Sequence, residues 1–365
     1  MKKILIAVTT LFGGGAERVA TVWANELLNS GYDVYMLLYG RSEKEYPINK
    51  DVKIFTVADD YSAYRKLSYI ERLCRMRKIV KEISPDVVIS FLQRMQIWMM
   101  GATFGHKLRR IETIRVSPWH INISGRLEKI LWKLAFHRAD AVIFQTAEQA
   151  EFFSKSIQRK GVVVSNSLSE QCVKNPKRDY ALKVRNFVAA GRITDQKNYP
   201  LMIKAFANAV KKYDDLHLSI YGIGYESYMM SIQNQIDNLG MSDNIKLMGR
   251  STELYNILRE SDAFIMTSDY EGMPNSLAES MVMGLPCIST NCRTGPKDMI
   301  EDGISGFLVD VGDEKGLTNS ILKIADMNRE QIVQMGYAAR KKMLDLCGKE
   351  KSLHRLIDVI ENRND

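Results

Sequence analysis

Short apolar runs alternate with amphipathic stretches of helical period along almost the whole chain. A short run that is apolar throughout suits a strand buried on both faces of a parallel sheet. Parallel neighbours need a crossover, usually a helix, so the alternation predicts repeated βα units and an α/β, doubly wound fold. Strands are expected at Lys3–Val8, Asp33–Leu38, Val52–Val57, Asp86–Ser90, Ile111–Arg115, Ala141–Gln145 and Val162–Val164 in the first half. In the second half they are expected at Phe187–Ala190, Leu216–Tyr221, Ile245–Met248, Ala263–Thr267, Pro286–Ser289 and Gly306–Val309. Helices include Glu17–Asn29, Tyr64–Glu82, Gly125–Phe136, Ala147–Ser156, Leu201–Lys212 and Ser276–Met283, and a helical stretch from Glu330 to Asn362 ends the chain. At 365 residues the chain exceeds one ordinary core. Two domains are expected, 1–170 and 180–348, divided in the polar, aperiodic stretch Ser165 to Arg185.

Composition narrows the class. Five scattered cysteines, an odd number, argue against a disulfide framework and fit a reducing compartment. No run of 18 apolar residues occurs, so no spanning helix is expected. Met1-Lys-Lys and the apolar Ile4–Phe12 mimic a short signal peptide. The threonines within that run, and Gly13-Gly14-Gly15 after it, read instead as a buried strand turning into a helix. Charge is uneven: residues 1–180 carry a net +11 and residues 181–365 a net −3. A basic first half points to an anionic membrane surface or a polyanion. Basic residues cluster on Tyr64–Glu82 and again at Lys107, Arg109, Arg110, Arg126, Lys129 and Lys133.

Four segments at strand ends carry candidate chemistry. Ser268-Asp-Tyr-Glu-Gly-Met-Pro-Asn-Ser-Leu-Ala-Glu279 leaves a strand, turns at Gly-Met-Pro and opens a helix. A helix start offers N–H groups and partial positive charge, and Glu271 and Glu279 flank it, so the segment suits a phosphate or a polar sugar edge. Phe12-Gly-Gly-Gly-Ala-Glu-Arg18 is a strand–glycine–helix junction that lacks the spacing of the dinucleotide fingerprint. Ala190-Gly-Arg-Ile-Thr-Asp-Gln-Lys-Asn198 puts Arg192 and Lys197 on one short loop, where a diphosphate would find a fork and a point charge. Ile220-Tyr-Gly-Ile-Gly-Tyr-Glu226 is a further glycine elbow, open to a ligand approach or to simple turn geometry.

As an ordered set, these residues resemble the retaining glycosyltransferases of family 4, with the GT-B fold of two Rossmann-like doubly wound domains facing a cleft. Gly-Gly-Ala-Glu-Arg-Val near the start, Gly191 to Asn198, and Ser-Asp-Tyr-Glu-Gly-Met-Pro-Asn carry the likeness; Ile288-Ser-Thr-Asn and Gly303-Ile-Ser-Gly306 extend it. The resemblance implies a first domain for the acceptor, a second for a nucleotide sugar, and a last helix, about 350–365, packed back on the first domain. It implies that Arg192 and Lys197 hold the donor diphosphate and that Glu271 contacts the donor sugar. Glu279 would hold the ribose, and Gly191, Gly222, Gly272, Met273, Asn275, Ser276 and Leu277 would line the donor. The loop of Gly13, Gly14 and Gly15 would close over it. No Asp-x-Asp occurs, which fits transfer without a metal, and no cofactor is implied, the nucleotide sugar being a substrate. Relatives often carry Glu-Arg-Asn-Asp/Ser-Pro where this chain has Ile114-Arg115-Val116-Ser117-Pro118. Arg115 keeps the cation and implies contact with a donor or acceptor phosphate, and His120 follows as a second candidate there.

The expected protein is therefore a cytoplasmic enzyme, peripheral at the inner face of the plasma membrane. It would move a sugar, from a UDP-sugar above other nucleotide sugars, onto a lipid-diphosphate-linked glycan in bacterial surface polysaccharide synthesis. Same-face attack and a covalent intermediate both remain open. So do the alternatives of a soluble glucan acceptor or a sugar-nucleotide epimerase. A nucleic-acid-binding protein is disfavoured, since no helix-turn-helix, RNP or zinc pattern occurs. A dehydrogenase is disfavoured by the missing G-x-G-x-x-G.

Overall fold

The computed structural model describes residues 1–363 apart from 44, 122, 124, 169, 178 and 252. The end of the last expected helix, 364–365, lies outside the described residues. Two compact units are present: Met1–Ser167 with Lys349–Asp365, and Leu168–Gly348.

The first unit holds β1 (Lys3–Ala7), β2 (Asp33–Leu38), β3 (Lys53–Thr56), β4 (Val87–Ser90), β5 (Arg109–Thr113), β6 (Ala141–Phe144) and β7 (Gly161–Val163). Its sheet runs β3-β2-β1-β4-β5-β6-β7, parallel throughout. The second unit holds β8 (Asn186–Ala190), β9 (His217–Tyr221), β10 (Ile245–Gly249), β11 (Ala263–Met266), β12 (Cys287–Thr290) and β13 (Phe307–Val309), in the order β10-β9-β8-β11-β12-β13. In both sheets the chain winds outward one way and then the other. The reversals fall between β1 and β4 and between β8 and β11. Loops beyond the carboxyl ends of strands at such a reversal diverge and leave a crevice, which is where doubly wound sheets bind ligands.

Inner strands such as β1, β4, β6 and β11 read as nearly continuous apolar runs because both faces are covered. Ile4 and Ile6 of β1 pack into one core with Trp23, Leu27 and Val34. Leu5 and Ala7 point the other way, to Met76, Val80 and Met95. Phe187 and Ala189 of β8 face Phe206 and Ile203, while Val188 faces Leu277 and Met281. Such period-2 division is what a pleated strand imposes.

Three expected helices are broken, each by a local signal. The stretch Tyr64–Glu82 is two helices, Tyr61–Lys66 and Tyr69–Ile83. Ser68 between them caps the second, accepting from the Glu71 N–H while the Glu71 carboxylate accepts from the Ser68 N–H. This is a capping box, and its S-x-x-E spacing was there to be read. Ala147–Ser156 divides into Ala147–Glu151 and Lys155–Gln158, with Ser154 extended as the second N-cap. The terminal stretch divides at Gly348 into Arg329–Cys347 and Lys349–Glu361. The first of these packs with Met281 and Met283, and the second returns to the first unit. There Leu356, Val359 and Ile360 join the core of Ile4 and Ile6. Lys2 pairs with Glu361 at 2.7 Å, and Arg109 Nε donates to the Val359 carbonyl at 2.9 Å.

Candidate active site

In the second unit, two loops flank the chain reversal. After β8, Gly191 to Thr194 leads into a tight turn, Asp195–Lys197. Asn198 follows in the left-handed region, at φ 45° and ψ 49°, and its side chain caps the helix Tyr199–Val210. Asparagine is one of few residues that visit this conformation readily. After β11, the chain runs through Thr267 to Pro274 and opens the helix Asn275–Met283.

Hydrogen bonds stitch the two loops together. Thr267 Oγ1 donates to the carbonyls of Lys197 and Asn198, at 2.9 and 3.0 Å. Asn198 Nδ2 donates to Asp269 Oδ1 at 2.8 Å, and Gln196 Nε2 to the Tyr270 carbonyl at 2.7 Å. The Asp269 N–H returns to the Gln196 carbonyl at 2.9 Å. Upon this frame Lys197 Nζ meets Glu271 Oε1 at 2.6 Å. Both side chains are largely shielded, 15% and 10% exposed, so the attraction is only partly screened by water.

Several of the expected donor residues lie on the two loops that carry this pair or on the helix that follows. The aliphatic end of Lys197 folds across Gly191, where a Cβ would lie 3.2 Å from Lys197 Cε. Arg192 is exposed on the same loop. Gly272 and Met273 form the turn after Glu271, with Met273 buried. Asn275 and Ser276 are half-buried in the first helical turn, followed by buried Leu277 and Glu279. That turn supplies the N–H groups and positive dipole end that suit an anion. Gly222 has a nearer reason to be glycine than a ligand: a Cβ there would overlap the Gly191 carbonyl oxygen. Gly224 meets the Ile193 carbonyl in the same way, so both glycines let the loops after β8 and β9 touch.

Sequence reasoning missed several neighbours. Tyr199 Oη donates to the Gly191 carbonyl at 3.3 Å, and burial, with the Glu271 charge adding, raises its pKa. The Cys292 thiol is pushed up to about 12 by burial and then by Glu271, with Lys197 opposing. It is therefore a neutral thiol at ordinary pH. Thr294 and Gly295 lie against the Glu271 loop. The recognisable motifs stopped at Asn291 and resumed at Gly303. A Gly-Pro step after a strand was the available signal.

In the first unit, Gly14 caps the helix Gly15–Asn29, and Gly13 takes φ 89°, a conformation that favours glycine. Arg115, beyond β5, stacks over Trp23 at 4.3 Å and Phe91 at 5.2 Å. Its Nη1 donates to Asn166 Oδ1 at 3.1 Å, whereas Nε and Nη2 are buried without a hydrogen-bond partner. Burial lowers its pKa, while the ring faces favour the cation. His120 ends the short turn Pro118–His120, exposed, with Nδ1 3.1 Å from Ser117 Oγ. Among the described residues, no group of three His, Cys, Asp or Glu side chains could hold a metal ion, and no helix is long and apolar enough to cross a membrane.

Comparison with known proteins agrees with this architecture. Residues 175–342 match the family model for glycosyl transferases group 1, and residues 10–146 match that for glycosyl transferase 4-like proteins. An amylovoran biosynthesis glycosyltransferase of Erwinia amylovora is 26% identical over 319 residues, covering 85% of this chain and 86% of its own. An alpha-1,4-N-acetyl-D-galactosaminyltransferase of Campylobacter jejuni, named for an acceptor on PP-undecaprenol, is 23% identical over 370 residues, covering 99% and 100%. Anabaena HepE, solved in complex with UDP and glucose, superposes with a TM-score of 0.78 at 16% identity, over 99% of this chain and 100% of that one. That likeness bears on the fold alone.

Proposed function

We propose, on the premise that this chain is a GT-B glycosyltransferase of the group 1 and 4-like families, that it transfers a sugar with retention from a UDP-sugar to a lipid-diphosphate-linked glycan. The glycan would belong to bacterial surface polysaccharide, as for the Campylobacter and Erwinia relatives. The observation that carries the reading is the Lys197–Glu271 pair at the chain reversal of the donor half, beside the helix start at Asn275. Arg192 and Lys197 neutralise charge on the departing diphosphate, in place of a metal. Glu271 accepts from sugar hydroxyls, and Glu279 from the ribose. A carboxylate held at 2.6 Å by an ammonium is a weak nucleophile, so the reading favours same-face attack. The bond from the anomeric carbon to the phosphate oxygen breaks, and the acceptor oxygen bonds to that carbon. The acceptor proton passes to the leaving phosphate, and a nucleoside diphosphate is released.

Thermal denaturation with UDP, UDP-sugars and NADH tests this. UDP and one or more UDP-sugars are expected to raise Tm with EDTA present, by about 2.7 kcal/mol of stabilisation at a hundredfold excess over Kd. Stabilisation by NADH and none by UDP would sink the reading.

We further propose that the protein is cytoplasmic and works at the inner face of the plasma membrane. The helix Arg126–Arg138 buries Trp132 and Phe136 yet leaves Leu127, Ile130 and Leu134 exposed. Exposed Arg126, Lys129 and Lys133 lie on the same helix. An apolar stripe flanked by cations suits an anionic bilayer, where each cation adds about 1 kcal/mol. Vesicles of phosphatidylglycerol and phosphatidylethanolamine are expected to bind the protein, less so as salt rises. The double variant L127S/I130S should lose most of that binding, and full retention would remove the membrane proposal.

A further inference from the structure

From Thr290, the last residue of β12, into the loop that follows, the chain grips the Glu271 segment at three points. Thr290 Oγ1 donates to the Ser268 carbonyl at 2.6 Å. Thr294 Oγ1 donates to the Glu271 carbonyl. Gly295, at φ 88°, lies so close that a Cβ would sit 2.5 Å from the Gly272 carbonyl oxygen and 3.0 Å from Pro274 Cδ.

Thr294 is the unusual member. It is fully buried, and its φ is 70°. A β-branched residue in the left-handed region is an outlier, and glycine would hold that backbone at lower cost. Such strain persists only where the surroundings over-determine it, and it clusters where a site must be held in one shape. Threonine adds to glycine a buried methyl and a hydroxyl, and the hydroxyl donates to the backbone of Glu271, the residue that pairs with Lys197. A capped helix or a core contact would not need that partner. Glu271 sits in a Glu-Gly-Met-Pro turn outside any helix or strand, so no regular backbone ladder fixes its carbonyl.

We propose that Thr294 is a positioning residue: its hydroxyl clamps the Glu271 carbonyl and thereby aims the Glu271 carboxylate at Lys197 and the donor sugar. The inference rests on the donor-site reading above. It predicts a split between chemistry and nucleotide binding, because the clamp acts on the sugar-side carboxylate and not on the helix start that would hold the diphosphate.

Three variants test it: Thr294→Val keeps the shape without the hydroxyl, Thr294→Ser keeps the hydroxyl, and Thr294→Gly relieves the backbone. Turnover is measured with the UDP-sugar that stabilises the wild type, and affinity with UDP by calorimetry. Thr294→Val and Thr294→Gly are expected to lose roughly tenfold to a hundredfold in kcat, as small misplacements do, with the UDP Kd unchanged within about twofold. Thr294→Ser should restore kcat. A second readout needs no turnover. Cys292, in this same loop, is 1% exposed, so its labelling by N-ethylmaleimide, read by peptide mass spectrometry, should quicken in Thr294→Val and not in Thr294→Ser. Wild-type kcat and wild-type Cys292 labelling in Thr294→Val overturn the proposal. So does an equal loss in Thr294→Ser. If the wild type neither binds UDP nor turns over any UDP-sugar, the donor reading falls, while the labelling arm still decides whether Thr294 clamps the loop.

Discussion

Replacing Glu271 with alanine is expected to cut sugar transfer at least about a hundredfold while the protein stays folded. The two consequences can be compared in size. A hundredfold loss is about 2.7 kcal/mol of transition-state stabilisation. It follows if the carboxylate's hydrogen bonds to the sugar tighten as the ring takes on positive charge. The structural cost is smaller. Lys197 would lose its partner but keeps 15% of its side-chain surface in water. A fully buried orphan charge costs 3–5 kcal/mol and an exposed pair 0–1, so roughly 1–2 kcal/mol is expected here. Against a total of about 5–15 kcal/mol, the domain survives with Tm lowered by a few degrees. Steady-state kinetics with circular dichroism melting separates the effects. Near-wild-type kcat in the alanine variant would remove Glu271 from the chemistry. Glu271→Gln keeps the shape and the acceptor oxygen, and should fall between the two.

Lys197→Ala is expected to lower kcat by roughly 10²–10³, the usual cost of removing one preorganised group that faces developing negative charge. Here the loss should extend to the ground state, because UDP already carries the phosphate charge. The UDP Kd is therefore expected to weaken about tenfold, which distinguishes Lys197 from Thr294. Because Lys197 and Glu271 touch, the double alanine variant should lose less than the two single losses combined. Strict additivity would mean that the two side chains act independently, contrary to their 2.6 Å contact.

Much of the fold was legible in the chain. Among the described residues the inner strands such as β1, β4, β6 and β11 follow from local apolar runs, because a strand buried on both faces must be apolar at nearly every position. The site was legible in part. Arg192, Lys197, Glu271 and Glu279 could be named only from the ordered set of motifs, and of these the structure brings Lys197 and Glu271 into contact. Gly222 and Gly191 could be singled out too, but their contact could not. Whether a glycine admits a ligand or another loop depends on what lies across from it, and here that is the Gly191 carbonyl. Ser68 was a readable break that helical period obscured, since a two-residue interruption hardly disturbs an apolar stripe.

By itself, then, the amino-acid order determined the elements, their alternation and the residue types held at strand ends, since each depends on neighbours a few positions away. Only the tertiary structure decided which of those residues meet. Lys197 and Glu271 are 74 positions apart, and Thr294 reaches back 23 to the Glu271 carbonyl. Their contact depends on the sheet order that sets β8, β11 and β12 side by side. Side-chain period is the same whichever strand lies next door, so a pattern of two or of 3.6 cannot encode that adjacency.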